Sequence, residues 1–145
     1  MKTSKFLIFL SALLAQFVLG QEPSPIAGVW RTYDDDTNKP AALVEITQKD
    51  GVYVGVIQKL LDPSAPLTCE KCTDGRKGKP VVGMEILSGL KKSGDSYTDG
   101  RILDPDDGEI YRAEIKLKER GNKLDVRGYI GIPLLGRTQT WVRER

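Results

Sequence analysis

Turn signals divide the second half of the chain at short, regular intervals. Ser93-Gly94-Asp95, Asp106-Asp107-Gly108, Gly121-Asn122 and the stretch from Pro133 to Gly136 bound four runs of strand length: Tyr97 to Leu103, Ile110 to Leu117, Leu124 to Ile132 and Thr138 to Val142. Gly, Asn and Asp at these points supply the positive φ angles that tight hairpins demand, so the pattern predicts an antiparallel meander. A meander exposes an unpaired edge unless it closes into a barrel or pairs with a second sheet. A small closed barrel is a container, and binding is the function class it suggests first.

Lys2 and Lys5 precede an almost wholly apolar run from Phe6 to Leu19, and Val18-Leu19-Gly20 offers the small or modest side chains that a signal peptidase reads. Residues 1–20 are therefore expected to be a secretory signal peptide, cut near Gly20/Gln21. The apolar run falls short of the ~20 residues of a spanning helix, so no stable membrane anchor is expected. Export to the periplasm or the extracellular space follows. Without Lys2 and Lys5, the 22 basic residues fall to equality with the 20 acidic ones. A balanced chain with interspersed signs has no global field and no phosphate-tracking stripe, which argues against nucleic acid as a partner. Residues 21–26, with Glu22-Pro23-Ser24-Pro25, read as an extended leader, and residues 27–145 as one domain around one core.

The first half of that domain adds four strand candidates. Gly28–Tyr33 carries Trp30, Leu43–Gln48 alternates apolar and polar residues, and Lys49-Asp50-Gly51 is a hairpin turn into Val52–Leu61, a β-branched run apolar on both faces. Asp34-Asp35-Asp36 reads as a solvated turn, because a calcium loop would need alternating oxygen ligands and a Gly at its bend. Asp62 to Pro80 is a long loop, rich in Pro and Lys, that carries both cysteines. Val81–Leu90 admits a helical face through Val82, Ile86 and Leu90, but Gly83 and Gly89 weaken a helix and a short strand is preferred. The expected fold class is all-β: a single eight-stranded antiparallel up-and-down barrel with one long Cys-containing loop. Eight strands enclose an interior just wide enough for packed side chains or one small ligand.

The two ends of the domain suit closure. Gly28-Val29-Trp30 opens the first strand and Trp141-Val142-Arg143 ends the last. In a closed barrel these strands pair, and a guanidinium would cover an indole near one end. A Gly-x-Trp opening with a late Arg resembles the signature of lipocalin and streptavidin-like barrels. A second resemblance spans the domain. Asp104-Pro105 with Gly108 and Tyr111, Val126-Arg127-Gly128-Tyr129-Ile130-Gly131, Gly136-Arg137-Thr138-Gln139 with Trp141, Gly28-Val29-Trp30, and Lys79-Pro80-Val81-Val82-Gly83-Met84 are similar to the motifs of a bacterial secreted family known as domain of unknown function 2147. The resemblance runs from about Gly28 to Arg143. It implies a lipocalin-like barrel in the bacterial envelope and implies no reaction, since none is settled for the family.

Cys69-Glu70-Lys71-Cys72 is the sharpest local motif. In an oxidising compartment two cysteines this close are expected to bond to each other, with roughly 2 kcal/mol of stabilisation from so small a ring. A redox role would need a thiolate held at a helix N-terminus. Thr73 to Pro80 suits no helix, although Lys71 and Lys77 would lower a thiol pKa. A zinc site fails on ligand count, because the chain has two cysteines and no histidine; no metal and no cofactor are expected. The missing histidine also removes Ser-His and Cys-His pairs. Asp104, Asp106 and Asp107 form the densest carboxylate cluster, but Pro105 and Gly108 mark it as a turn, and no catalytic residue is assigned.

Strand parity decides what lines the barrel. Between Lys123 and Ile132, the residues Leu124, Val126, Ile130 and Ile132 share one face, and Asp125, Arg127 and Tyr129 the other. With the polar face inward, Arg127, Tyr129 and Arg137 would line a pocket for a carboxylate or phosphate head group. With the apolar face inward, Arg127 and Tyr129 lie outside; this parity is preferred because burying Arg without a partner is costly. The apolar candidates for the lining are Trp30, Val54, Val56, Ile102, Tyr111, Ile115, Val126 and Ile130. Two non-enzymatic readings follow. One is a carrier of a small apolar or amphipathic molecule. The other is an interaction protein of the envelope whose barrel is filled by its own side chains, which the two apolar faces of Val52–Leu61 favour. A thiol–disulfide protein using Cys69 and Cys72 ranks below both.

Overall fold

Asp50 and Gly51 adopt positive φ, 51° and 82°, and fold the chain back with Lys49 facing Val52. A two-residue loop of this kind matches the right-handed twist of the strands it joins. A similar turn recurs at Gly94-Asp95, where Ser93 faces Ser96, and a wider one at Glu119–Gly121, a short 3₁₀ turn of three left-handed residues. The computed structural model describes residues 25–145; the expected signal peptide and most of the leader lie outside them. The strands are β1 (Gly28–Tyr33), β2 (Pro40–Lys49), β3 (Val52–Leu60), β4 (Glu85–Ser93), β5 (Ser96–Leu103), β6 (Ile110–Lys118), β7 (Lys123–Tyr129) and β8 (Arg137–Arg143). They follow in chain order around a closed antiparallel barrel, and β1 completes the ring by pairing with β8 at Trp30↔Arg143 and Arg31↔Val142.

The all-β class, the strand count and the closure agree with the sequence reading. Three boundaries move clearly. One is the start of β2, at Pro40 ahead of the expected Leu43. The strand expected from Val81 starts at Glu85, because Gly83, at φ 87°, turns the chain and Val81–Met84 still belongs to the long loop. The strand expected to reach Ile132 stops at Tyr129, because Gly131 takes φ 81° and Pro133 opens a second 3₁₀ turn, Pro133–Leu135.

Up-and-down order sorts the connections between two poles. The three tight turns share one pole with residues 25–27 and the end of β8; the longer connections 34–39, 61–84, 104–109 and 130–136 share the other. Alternation along the strands aims Val44, Ile46, Leu90, Ile115, Leu124 and Trp141 inward, where they are buried. Tyr53 and Tyr97 meet edge-to-face with ring centroids 5.1 Å apart. Two inward positions lack side chains so that neighbours fit: a Cβ at Gly100 would lie 2.5 Å from Leu90 Cδ2, and one at Gly55 2.9 Å from Leu87 Cβ.

The tight-turn pole is sealed. Ile26, placed with the leader by the sequence reading, is wholly buried, and its carbonyl accepts from Trp30 Nε1 at 2.9 Å. The Arg143 guanidinium stacks 4.2 Å from the Trp30 ring centroid and donates to the carbonyls of Gly121, Ala27 and Pro25 at 2.7, 2.9 and 2.5 Å. The expected indole–guanidinium contact is therefore present. Gly28, at φ 129°, gives it room, since a Cβ there would sit 2.7 Å from Arg143 Nη1.

Candidate functional site

Two connections at the other pole are built on one plan. In the β1–β2 turn the Asp34 amide donates to Lys39 O at 2.9 Å, the Asn38 amide to Asp34 O at 2.9 Å, and the Asp36 amide to Asp34 Oδ1 at 3.2 Å. In the β5–β6 turn the Asp104 amide donates to Glu109 O at 3.0 Å, the Gly108 amide to Asp104 O at 2.8 Å, and the Asp106 amide to Asp104 Oδ1 at 2.9 Å. The fifth residue of each turn, Asn38 or Gly108, has positive φ. An Asp that accepts from the backbone two residues on fixes this geometry locally. Each turn thereby sets a row of carboxylates on the rim.

The long β3–β4 connection is pinned beside them. Cys69 and Cys72 form a disulfide with their Cα atoms 5.5 Å apart, and both residues are buried. Around the bridge the Cys69 amide donates to Lys79 O, the Gly78 amide to Cys69 O, and the Val81 amide to Leu67 O. Cys69 Sγ lies 3.7 Å from the Pro105 carbonyl oxygen, a packing contact, since a disulfide sulfur has no proton to donate. The loop thus rests on the β5–β6 turn.

Between these connections a cavity of about 730 Å³ runs down into the barrel, inside the roughly 300–1,000 Å³ typical of small-molecule sites. Its deeper wall is apolar and includes Val44, Ile57, Ile86, Leu103, Val126 and Trp141. Its rim carries seven carboxylates, from Asp34, Asp35, Asp36, Asp62, Glu70, Asp104 and Asp106, against two cations, Lys71 and Arg137. Arg137 is itself paired with Asp35 at 3.5 Å.

The rim carboxylates differ in character. Burial holds Asp104 above the usual carboxylate pKa and the Asp107 and Asp106 charges add to this, against the Asp106 amide and Arg137. Asp106 is raised by burial and by Asp34, Asp107 and Asp62, with Lys71 opposing. Asp34 and Asp62 are held below the usual value, because the hydroxyl and amide of Thr37 and of Ser64 donate to their carboxylates. The Tyr111 hydroxyl donates to Asp107 Oδ2 at 2.7 Å, and that bond pushes the phenol to about 12.

The sequence candidates separate by parity. Ile102, Tyr111, Val126 and Arg137 line the cavity. Trp30 and Ile115 are wholly buried at or toward the sealed half and are not among the lining residues. Val54 and Val56 face outward, because Tyr53, Gly55 and Ile57 take the inward positions of β3. On β7, Leu124 and Val126 point in, so Arg127 and Tyr129 point out, as the preferred parity has it. The Arg127 guanidinium donates to Pro133 O, Leu134 O and Thr138 Oγ1, pinning the β7–β8 connection. Ile130 is 62% exposed, because β7 has already ended. In the sequence, turn chemistry alone accounts for Asp34–Asp36 and Asp104–Asp106. Their signal was the repeated spacing Asp-x-Asp-x-Asn at 34–38 and Asp-x-Asp-x-Gly at 104–108.

None of the curated proteins matches this chain. Among solved structures the barrel is similar to protein HP1028 from Helicobacter pylori, described as belonging to the lipocalin family, with a TM-score of 0.72, 22% identity and 83% of each chain covered. At that identity the likeness is one of fold. Residues 28–143 match the family described as "Uncharacterized protein conserved in bacteria (DUF2147)". That span takes in β1 to β8 and all four rim connections, and the chain belongs to this family.

Proposed function

We propose that the chain is a non-enzymatic carrier holding one small apolar or amphipathic molecule inside its barrel, exported to the periplasm or beyond it. The observation that carries this reading is a cavity of about 730 Å³ open at one pole and backed by a sealed one. Binding would draw on apolar surface buried against Val44, Ile57, Ile86, Val126 and Trp141, at about 25 cal/mol per Å². The likeness to a lipocalin-family protein supports it by association of fold only. The apolar run from Phe6 to Leu19 supports export. Burial of Cys69 and Cys72 supports a pinning role for the bridge over thiol chemistry.

One observation favours a second reading, an envelope protein partner. Ile130, Ile132, Leu134 and Leu135 stand exposed on the β7–β8 connection, a cluster of the kind that marks contact surfaces.

The test is native mass spectrometry of the protein recovered without denaturation, with solvent extraction of the same sample. A reproducible extra mass released by solvent is expected. A bare mass, together with no uptake of an apolar fluorophore and no change in tryptophan emission, would turn the assignment to the partner-binding reading.

A further inference from the structure

The cavity has an apolar interior under a rim of one charge sign. Residues from Gln21 onward carry equal numbers of acidic and basic side chains, yet the cavity lining sets seven carboxylates against two cations. Arg137 and Asp35 pair with each other, which leaves six carboxylates against Lys71. The excess comes from three separate connections: the β1–β2 turn, the start of the β3–β4 loop at Asp62, and the β5–β6 turn. A mouth with low-dielectric walls focuses such a field and concentrates counter-ions in it.

We propose that the molecule carried is a cationic amphiphile, with an organic ammonium head at the Asp104–Asp106 side of the rim and its apolar tail against Val44, Ile86, Val126 and Trp141. This rests on the carrier reading and adds the sign and kind of head group. The geometry favours a diffuse organic cation over a metal ion. Among the described residues no three acidic side chains converge closely enough to hold one, and a divalent ion requires about six oxygens around a point. Oxygens of Asp34, Asp62 and Asp104 are also already engaged by backbone amides. An ammonium head needs only a negative field and a dry surface beneath it.

The proton linkage has a definite sign. Asp104 and Asp106 face Asp34, Asp62 and Asp107, with Lys71 and Arg137 the opposing charges. Their ionised forms are disfavoured in the empty mouth. A cation placed there favours ionisation, so binding releases protons and tightens as pH rises through the carboxylate range.

The experiment compares decyltrimethylammonium, decyl maltoside and decyl sulfate, each below its micelle-forming concentration at low salt, by calorimetry and tryptophan fluorescence. The ammonium form is expected to bind about 10-fold tighter than the maltoside and the sulfate weaker than both, a margin that a few rim charges supply. The margin should shrink in 0.5 M salt, below pH 4 and in Asp106→Asn. Maltoside binding with sulfate equal to or tighter than ammonium overturns the head-group assignment and leaves the carrier reading standing. No binding by any of the three overturns both. Tetramethylammonium binding as tightly as its decyl form makes the mouth a bare ion site and overturns the proposal as well.

Discussion

Gly108 sits directly against the carbonyl of Lys71: a Cβ on Gly108 would lie 2.1 Å from that oxygen. The contact docks the disulfide loop onto the β5–β6 turn, and only glycine permits it, since φ is also 75°. Gly108→Ala should therefore cost about 3 kcal/mol or more, combining left-handed strain with a backbone clash. Gly51→Ala, at φ 82° with nothing near its Cβ, should cost about 1–2 kcal/mol. Urea midpoints of the two variants decide it; equal losses would show that the docking contact contributes nothing.

At the sealed pole, Arg143 holds three backbone carbonyls with one planar fork. Lysine carries the charge but cannot reach all three while stacking on Trp30. Arg143→Lys should lose about 2–3 kcal/mol of stability. The amides of residues 26–28 should exchange faster with solvent than in the parent. An unchanged melting curve for Arg143→Lys would contradict this account of the seal.

Asp104 gives a pH signature. Its folded-state pKa is raised, first by burial, so its ionised form is disfavoured in the fold. The penalty is present above the folded pKa and is lifted as pH falls through it toward the unfolded value of 3.8. Asp104→Asn keeps the oxygen that accepts from the Asp106 amide and removes the charge. It should be more stable than the parent at neutral pH, with the difference vanishing near pH 4. Asp34 and Asp62 have lowered pKa values, so replacing either with Asn should act in the opposite direction, removing a contribution present above the unfolded pKa. Chemical denaturation of the three variants across pH tests both signs.

The Cys69–Cys72 ring is small. Replacing both cysteines with alanine should lower stability by roughly 2 kcal/mol on loop-entropy grounds. The larger effect should be local, with faster amide exchange at Cys69, Gly78 and Val81, whose bonds order the loop. Because both cysteines are buried, reduction of the folded parent by a mild thiol should be slow compared with the denatured chain.

Turn chemistry made the barrel legible. Asp50-Gly51 and Ser93-Gly94-Asp95 specify their hairpins locally, and alternation on β2 and β7 follows from burial of one face. The apolar-in parity of β7 could be argued from Arg127 alone, because a guanidinium without a partner does not go inside. β3 was opaque for the converse reason: Val52, Val54 and Val56 are as apolar as the residues opposite them, and only register with β2 and β4 shows which face is interior. The sequence over-extends the strand after Gly128 because Ile130 and Ile132 continue the apolar period past a glycine and toward a proline. The rim is not legible in the sequence because Asp34 and Asp104 lie far apart, and nothing local to either turn says that the two overhang one opening.

The Arg143 staple also decides which way the molecule faces. Pro25 and Glu144 are held within one cluster around the sealed pole, the first by Arg143 Nη2 and the second by its amide on Val29 O. A segment joined directly at Pro25 or after Glu144 therefore starts from the side opposite the opening. Anchored directly before Pro25 or after Arg145, the barrel would present the same acidic ring outward, so a surface, a fusion partner or an affinity tag joined there leaves the mouth unobstructed.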